Sequence, residues 1–254
     1  MKRFFLLLSI CCMVASGTAQ EIVVAAASDL SSVFPQIAAG FEKETGKKVK
    51  FNFGSSGQFL LQIENGAPFD LFFSADIQYP QRLESEGLIQ PGSLYRYAVG
   101  KIVLYVPANS PLDLTQGLRA LLSPKVSRIA IANPQHAPYG RAAVEALRKE
   151  GLYDALQGKF VFGENISQAA QFVQSGNADA GIVALSLALG SAMKSAGRYV
   201  EIPASDYAPL EQAAVILKSS RDKDTAAAFL AYLHRPTVIA QLATFGFSMP
   251  SRTR

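Results

Sequence analysis

The stretch Val23-Val24-Ala25-Ala26-Ala27-Ser28-Asp29-Leu30-Ser31-Ser32 ends an apolar run abruptly on small and hydroxyl residues. It reads as a buried strand handing over to a helix N-terminus. The design recurs at Gly54-Ser55-Ser56-Gly57, at Pro138-Tyr139-Gly140 and at Gly163-Glu164-Asn165-Ile166-Ser167. A chain that repeats strand, polar loop and helix builds a mainly parallel sheet with helices on its faces. Loops of this kind sit beyond the carboxyl ends of the strands, where the free N–H groups of helix starts can hold an anion. The four loops are therefore expected to converge on one small oxyanion.

Along the chain, Ile22 to Ala27 reads as a strand, and Leu30, Val33, Phe34, Ile37 and Phe41 share one helical face that Gly46 ends. Pro35 is harmless only in a first turn, so that helix is expected to begin near Ser31 or Ser32. Val49, Phe51 and Phe53 alternate as a strand; Phe59, Leu60 and Ile63 form the next stripe; Phe69 to Ser74 is a third strand, followed by Asp76 as a helix cap and Gly87 as a stop. Tyr97 to Val106 is a longer β run, after which the alternation starts again and continues to Val183, with further strands at Tyr199 to Ile202 and Ala213 to Leu217 and two closing helices. The fold class is α/β: two lobes, each a mixed, mostly parallel sheet flanked by helices, joined by two β crossings around a cleft. Lobe 1 is expected to take residues 20–100 and 211–254, and lobe 2 residues 101–210. A single doubly wound sheet would satisfy the same periodicity.

Met1-Lys2-Arg3, the apolar run Phe4 to Val14 and the small residues Ala15 to Ala19 have the order of a secretory signal peptide, residues 1–19, cleaved near Ala19. Its apolar part is too short for a mature membrane span. Cleavage removes both cysteines, Cys11 and Cys12, and so any disulfide or thiolate metal site. It also removes two cations and no acid, lowering the formal net charge from +4 to +2, which does not mark a nucleic-acid binder.

Ser28 and Ser56 can each offer an N–H and an O–H, and Gly54 and Gly57 let the backbone approach closely. Taken singly, each serine is better read as a helix cap. In the second half, Tyr139 N–H and Ile166 N–H are the candidate donors, although Ile166 could simply pack inward. The stretches holding Ser28, Ser56 and Ile166 contain no Lys or Arg, and Arg141 is the one cation close by. An anion met by neutral donors needs a full set of hydrogen bonds and helix dipoles. Asp29 opposes such a site unless its side chain turns away to cap a helix and leaves only its N–H toward the ligand. Arg141 is either a surface residue or an offset to Asp29 or to the ligand across the cleft.

With these loops the chain resembles the periplasmic molybdate-binding proteins of ABC importers, a family with a two-lobed type II periplasmic-binding-protein clamp. The resemblance runs through Ala25-Ala26-Ala27-Ser28, Phe53-Gly54-Ser55-Ser56, the stretch from Gly66 to Asp76, Pro134 to Gly140 and Ala180-Gly181-Ile182-Val183. It implies oxyanion ligands at Ser28, Asp29, Ser56, Tyr139, Ile166 and the position of Ala184, no cofactor and no direct metal ligand. The ligand would be molybdate or tungstate, the partner an inner-membrane permease, the location the periplasm and the state a monomer. Many members carry a tyrosine where this chain has Ala184; Asp29 N–H, Ser186 or a water would then replace its hydroxyl.

Two other readings compete. The same clamp could take another tetrahedral oxyanion such as sulfate, or a small organic acid, although no arginine is placed to fork a carboxylate. A serine hydrolase built on Ser28 or Ser56 with His136 lacks a Gly-x-Ser-x-Gly elbow, and His136 and His234 have no metal-ligand spacing. A binding protein, not an enzyme, is the expectation.

Overall fold

In the computed structural model, which describes residues 21–250, the opening apolar run is strand β1 (Glu21–Ala27). The expected signal peptide lies outside the described residues. Ile22 and Val24 to Ala27 are buried, because β1 lies between two parallel neighbours and is covered on both faces. A single 3-10 turn, Ser28–Leu30, follows, and helix α1 (Phe34–Thr45) starts two to three residues later than the pattern predicts. Pro35 explains the delay: it has to sit in the first turn, so the preceding residues close as tighter turns instead. Gly46 ends α1 at φ 70°, a left-handed conformation that suits glycine.

The first lobe continues through β2 (Lys48–Gly54), α2 (Ser56–Glu64), β3 (Leu71–Ser74), α3 (Gln78–Ser85) and β4 (Tyr95–Gly100). The chain then passes into a second sheet. The long β run expected from Tyr97 to Val106 is two strands, β4 and β5 (Ile102–Pro107), interrupted at Lys101. The break is the crossing itself: Gly100 pairs with Leu210 in one sheet, whereas Ile102 pairs with Ala184 in the other.

The second sheet is completed by β6 (Ile129–Ala132), helices α4 (Pro138–Lys149) and α5 (Tyr153–Leu156), β7 (Phe160–Gly163), α6 (Ile166–Gln174), β8 (Ala180–Ala184), α7 (Leu185–Ala188), α8 (Ser191–Lys194) and β9 (Gly197–Glu201). A 3-10 segment, Leu114–Leu122, kinked at Gly117, precedes β6. The chain returns to the first sheet as β10 (Leu210–Ile216) and closes with α9 (Lys223–Leu233) and α10 (Pro236–Thr244).

The two sheets repeat one plan. Strand order is β2-β1-β3-β10-β4 in the first and β7-β6-β8-β5-β9 in the second. In each, one strand (β10 or β5) runs antiparallel to both neighbours, so the other four point the same way. The first sheet is packed on both faces, as β3 shows by alternation. Phe73 joins Phe34, Tyr97 and Phe229, with its ring 4.9 Å from that of Phe34, while Phe72 faces Phe59 and Leu83 on the other side. A separate core under α4 and α6 fills the second lobe, and Ala27 and Ala75 of the first lobe pack against it. No helix among the described residues is long and apolar enough to cross a membrane.

Candidate functional site

Parallel pairing decides where the four loops go. β1 and β2 are in register with Ala27 opposite Gly54, so the loops beginning at Ser28 and Ser55 leave the first sheet side by side. β6 and β7 are in register with Ala132 opposite Gly163, so the loops leading to Tyr139 and Ile166 leave the second sheet in the same way. The two pairs of loops face each other and enclose a cavity lined by Ser28, Asp29, Ser55, Ser56, Tyr139 and Ile166 together with small alanine and glycine surfaces. It leaves about 10 Å³ for the centre of a water-sized sphere, of the order of one water. Among the described residues no Lys or Arg lines it.

Neither Ser28 nor Ser56 caps a helix. Ser28 Oγ accepts the N–H of Ser167 across the cleft at 3.3 Å, and Ser56 Oγ accepts the N–H of Ala75 at 3.0 Å. Because each oxygen is already an acceptor, each hydroxyl proton remains to be donated elsewhere. Ser56 is the first residue of α2, Tyr139 the second of α4 and Ile166 the first of α6, positions whose N–H groups have no acceptor within their own helix. Three helix starts thus meet at one point and give it positive potential without a cation. Ile166 does both things open to it: its side chain is in the second lobe's core while its backbone begins α6, capped by Asn165 Oδ1 accepting the N–H of Gln168 at 3.0 Å.

Asp29 departs from its expected orientation. It caps no helix, and it is fully buried against the cavity. Its Oδ2 accepts the Tyr139 hydroxyl at 2.9 Å and the Gln212 Nε2 at 2.7 Å; the Gln212 Oε1 in turn accepts the Tyr97 hydroxyl at 2.6 Å. Its Oδ1 has no hydrogen-bond partner among the described residues. Burial pushes the carboxyl up to about 6, partly offset by the bonds from Gln212 and Tyr139. Burial and the nearby Asp29 hold both tyrosines well above the usual phenol range. Tyr139 was expected to contribute only its N–H, yet its side chain also ties the lobes together through Asp29 and Gln212.

Around this cavity the lobes are closed on each other. Ser55 Oγ and Gly57 N–H both donate to the His136 carbonyl, at 2.6 and 3.0 Å. Gln58 reaches Glu164 at 2.9 Å, and Ser167 Oγ donates to the Ser28 carbonyl at 2.8 Å. Arg141 does cross the cleft, but to Asp76 and the Tyr79 hydroxyl, not to Asp29. Asp76 does not cap α3, whose N-cap is Ile77, but its Oδ1 accepts the Gln78 N–H at 2.9 Å from one residue further out.

The serine near His136 is Ser55, not Ser28 or Ser56, with its Oγ 3.0 Å from Nδ1. Because the Ser55 proton lies on the His136 carbonyl, the pair serves as a latch between lobes and offers no activated nucleophile. Among the described residues no group of three or more His, Cys, Asp or Glu side chains could hold a metal ion.

Ala184 is not brought to the cavity: it pairs with Ile102 at the end of β8 and is fully buried. Ser186, the other candidate to supply the missing hydroxyl, donates to the Asp29 carbonyl at 2.7 Å instead. Sequence reasoning missed Ser55 and Gln212 as parts of the site. Ser55 was masked by its neighbour Ser56, and a buried glutamine on β10, directly after Glu211, has no local signature.

The family model described as bacterial extracellular solute-binding protein matches residues 22–248. A protein of Azotobacter vinelandii named molybdate-binding protein ModA is 41% identical over 234 residues, covering 92% of each chain. One of the same name from Rhodobacter capsulatus is 39% identical, covering 91% of this chain and 89% of its own. The solved structure of the Azotobacter vinelandii periplasmic molybdate-binding protein superposes with a TM-score of 0.85 at 38% identity, covering 91% of this chain and all of that one.

Proposed function

The chain belongs to the bacterial extracellular solute-binding proteins, among the relatives of the periplasmic molybdate-binding proteins of ABC importers, and from that premise we propose that its cargo is molybdate, with tungstate as the equivalent ion. Proteins of this family bind and deliver; they do not catalyse. In the proposal, Ser28 and Ser56 give their hydroxyl protons, and the N–H groups of Ser56, Tyr139 and Ile166 at three helix starts complete the donor set. The lobes divide as residues 20–100 with 211–254 and residues 101–210, and the mature chain begins after Ala19.

The observation that carries the reading is a cavity whose free polar groups are nearly all donors and which no cation lines. A tetrahedral dianion is the ligand that such a donor set completes. An amino acid or organic acid would need a forked arginine, and none of the described residues lining the cavity is one. Sulfate has shorter bonds to oxygen, so donors spaced for the larger ion contact it less well.

Thermal unfolding of ligand-free protein with each ion in turn tests this. Molybdate and tungstate at a hundred times Kd should add about 2.7 kcal/mol of stability, with sulfate and phosphate adding little at the same concentration. Equal shifts with sulfate would overturn the assignment to molybdate.

A further inference from the structure

The Asp29 carboxyl is a fully buried acid on the wall of a site read above as holding a dianion. An ionised carboxylate there would repel the cargo in a medium that screens poorly. Its two oxygens are not equivalent. Oδ2 accepts two hydrogen bonds, from Tyr139 and Gln212, and so behaves as the carbonyl oxygen of a carboxylic acid. Oδ1 is buried and has no partner, which is where the proton of such an acid belongs and where it needs an acceptor.

We propose that Asp29 holds one proton against the bound oxyanion: Oδ2 stays the acceptor for Tyr139 and Gln212, Oδ1–H donates to the ion, and each ion is captured together with one proton from solvent. The inference rests on the oxyanion reading and extends it to proton-linked capture. Only one bond forms, O–H on Oδ1, as a buffer acid gives up its proton; the dianion then faces a neutral acid. No group but Asp29 in its network changes charge between pH 6 and 8.5. Tyr139 from α4 and Tyr97 from β4 stay neutral, held up by burial, and Tyr207, which faces Tyr139, is also raised. Gln212 from β10 and Ser186 from α7 do not titrate, and among the described residues no Lys, Arg or His hydrogen-bonds to the carboxyl. Burial leaves the ligand-free carboxyl near 6, mostly ionised at neutral pH and ready to take up the proton.

Titration calorimetry of the wild-type protein with molybdate, in buffers of different ionisation enthalpy, counts the protons directly. The expected result is close to one proton bound per ion at pH 7.5, about half a proton near pH 6, and a Kd that weakens up to tenfold per pH unit above 7. Asp29→Asn keeps an oxygen for Tyr139 and Gln212 and an N–H for the ion, so it should bind molybdate with no proton uptake and a flat pH profile. Binding without proton uptake by the wild type overturns the proposal and leaves the oxyanion reading intact. Uptake that persists in Asp29→Asn overturns it too, assigning the proton to another group. If molybdate, tungstate and sulfate all fail to bind at any pH from 5.5 to 8.5, the oxyanion reading falls and the proposal with it.

Discussion

Gly57→Ala should prevent full closure of the clamp while leaving each lobe folded. A Cβ at residue 57 would lie 2.5 Å from the His136 carbonyl oxygen and 3.1 Å from its Cα and Cβ, where ordinary contact begins at 3.4 Å. The carbonyl is backbone, so relief requires the lobes to part locally by about 1 Å. That retreat lengthens the Gly57–His136 bond from 3.0 Å beyond hydrogen-bonding range and strains the 2.6 Å bond from Ser55 to the same oxygen. One lost bond costs about 1 kcal/mol and the overpacking about 1–2 more, together about 2–3 kcal/mol, or roughly a 30- to 150-fold weaker Kd.

The cost falls on closure because the atoms nearest the added methyl all belong to His136 of the other lobe. In α2 itself the substitution favours the helix by a few tenths of a kcal/mol or more. The assay is calorimetric Kd for molybdate, paired with thermal unfolding of the ligand-free protein. Affinity within twofold of wild type would refute the reasoning, as would a fall in ligand-free stability large enough to account for the loss. Gly140→Ala is the contrasting control: its Cβ would collide with the Ala132 carbonyl inside one lobe, so it should lower ligand-free stability directly.

Three further outcomes are expected. Arg141→Ala removes the bonds to Asp76 and Tyr79 that span the cleft, and because both charged side chains are partly exposed it should weaken binding only two- to fivefold, about 0.5–1 kcal/mol, less at high salt; an unchanged Kd at low salt would remove any role in closure. Ser56→Ala takes a hydroxyl donor from the cavity and leaves the Ala75 N–H without its acceptor, so Kd should rise tenfold or more, read by calorimetry. The Asp29 carboxyl, raised from 3.8 to about 6, favours the ligand-free fold most below pH 3.8 and loses that contribution as pH climbs through 6; the stability of Asp29→Asn relative to wild type, measured by urea unfolding, should therefore grow by about 2 kcal/mol between pH 4 and 7.5, and a gap that stays constant would contradict it.

The two-lobed α/β plan was legible because its signals are local. Phe72 and Phe73 point to opposite faces through strand periodicity alone, and Gly46 stops α1 where its left-handed conformation is required. The convergence of Ser28, Ser56, Tyr139 and Ile166 on one cavity follows from the same logic, since parallel strands in register deliver their loops to the same edge. The boundaries failed where a local preference met a tertiary demand. A β run from Tyr97 to Val106 is continuous in hydropathy, but the backbone has to leave one sheet for the other at Lys101.

What was not legible is the hydrogen bonding that forms when distant elements meet. Gln212 is 183 residues from Asp29, and nothing around it announces that it will meet a carboxylate and two tyrosines. Gly57 reads as a glycine that frees its own loop, whereas the space it leaves is taken by the other lobe. Asp29 is the instructive residue. By its neighbours it is a helix cap, and a carboxylate beside an anion argues against the site. Buried with one oxygen doubly bonded to donors and the other without a partner among the described residues, it becomes, under the proposal, the group whose protonation would decide whether the cavity repels the ion or completes its shell. The Tyr139 hydroxyl, which donates to Asp29 and accepts from Gln212, also joins the two lobes, so under the proposal proton, ion and closure would act on one small network.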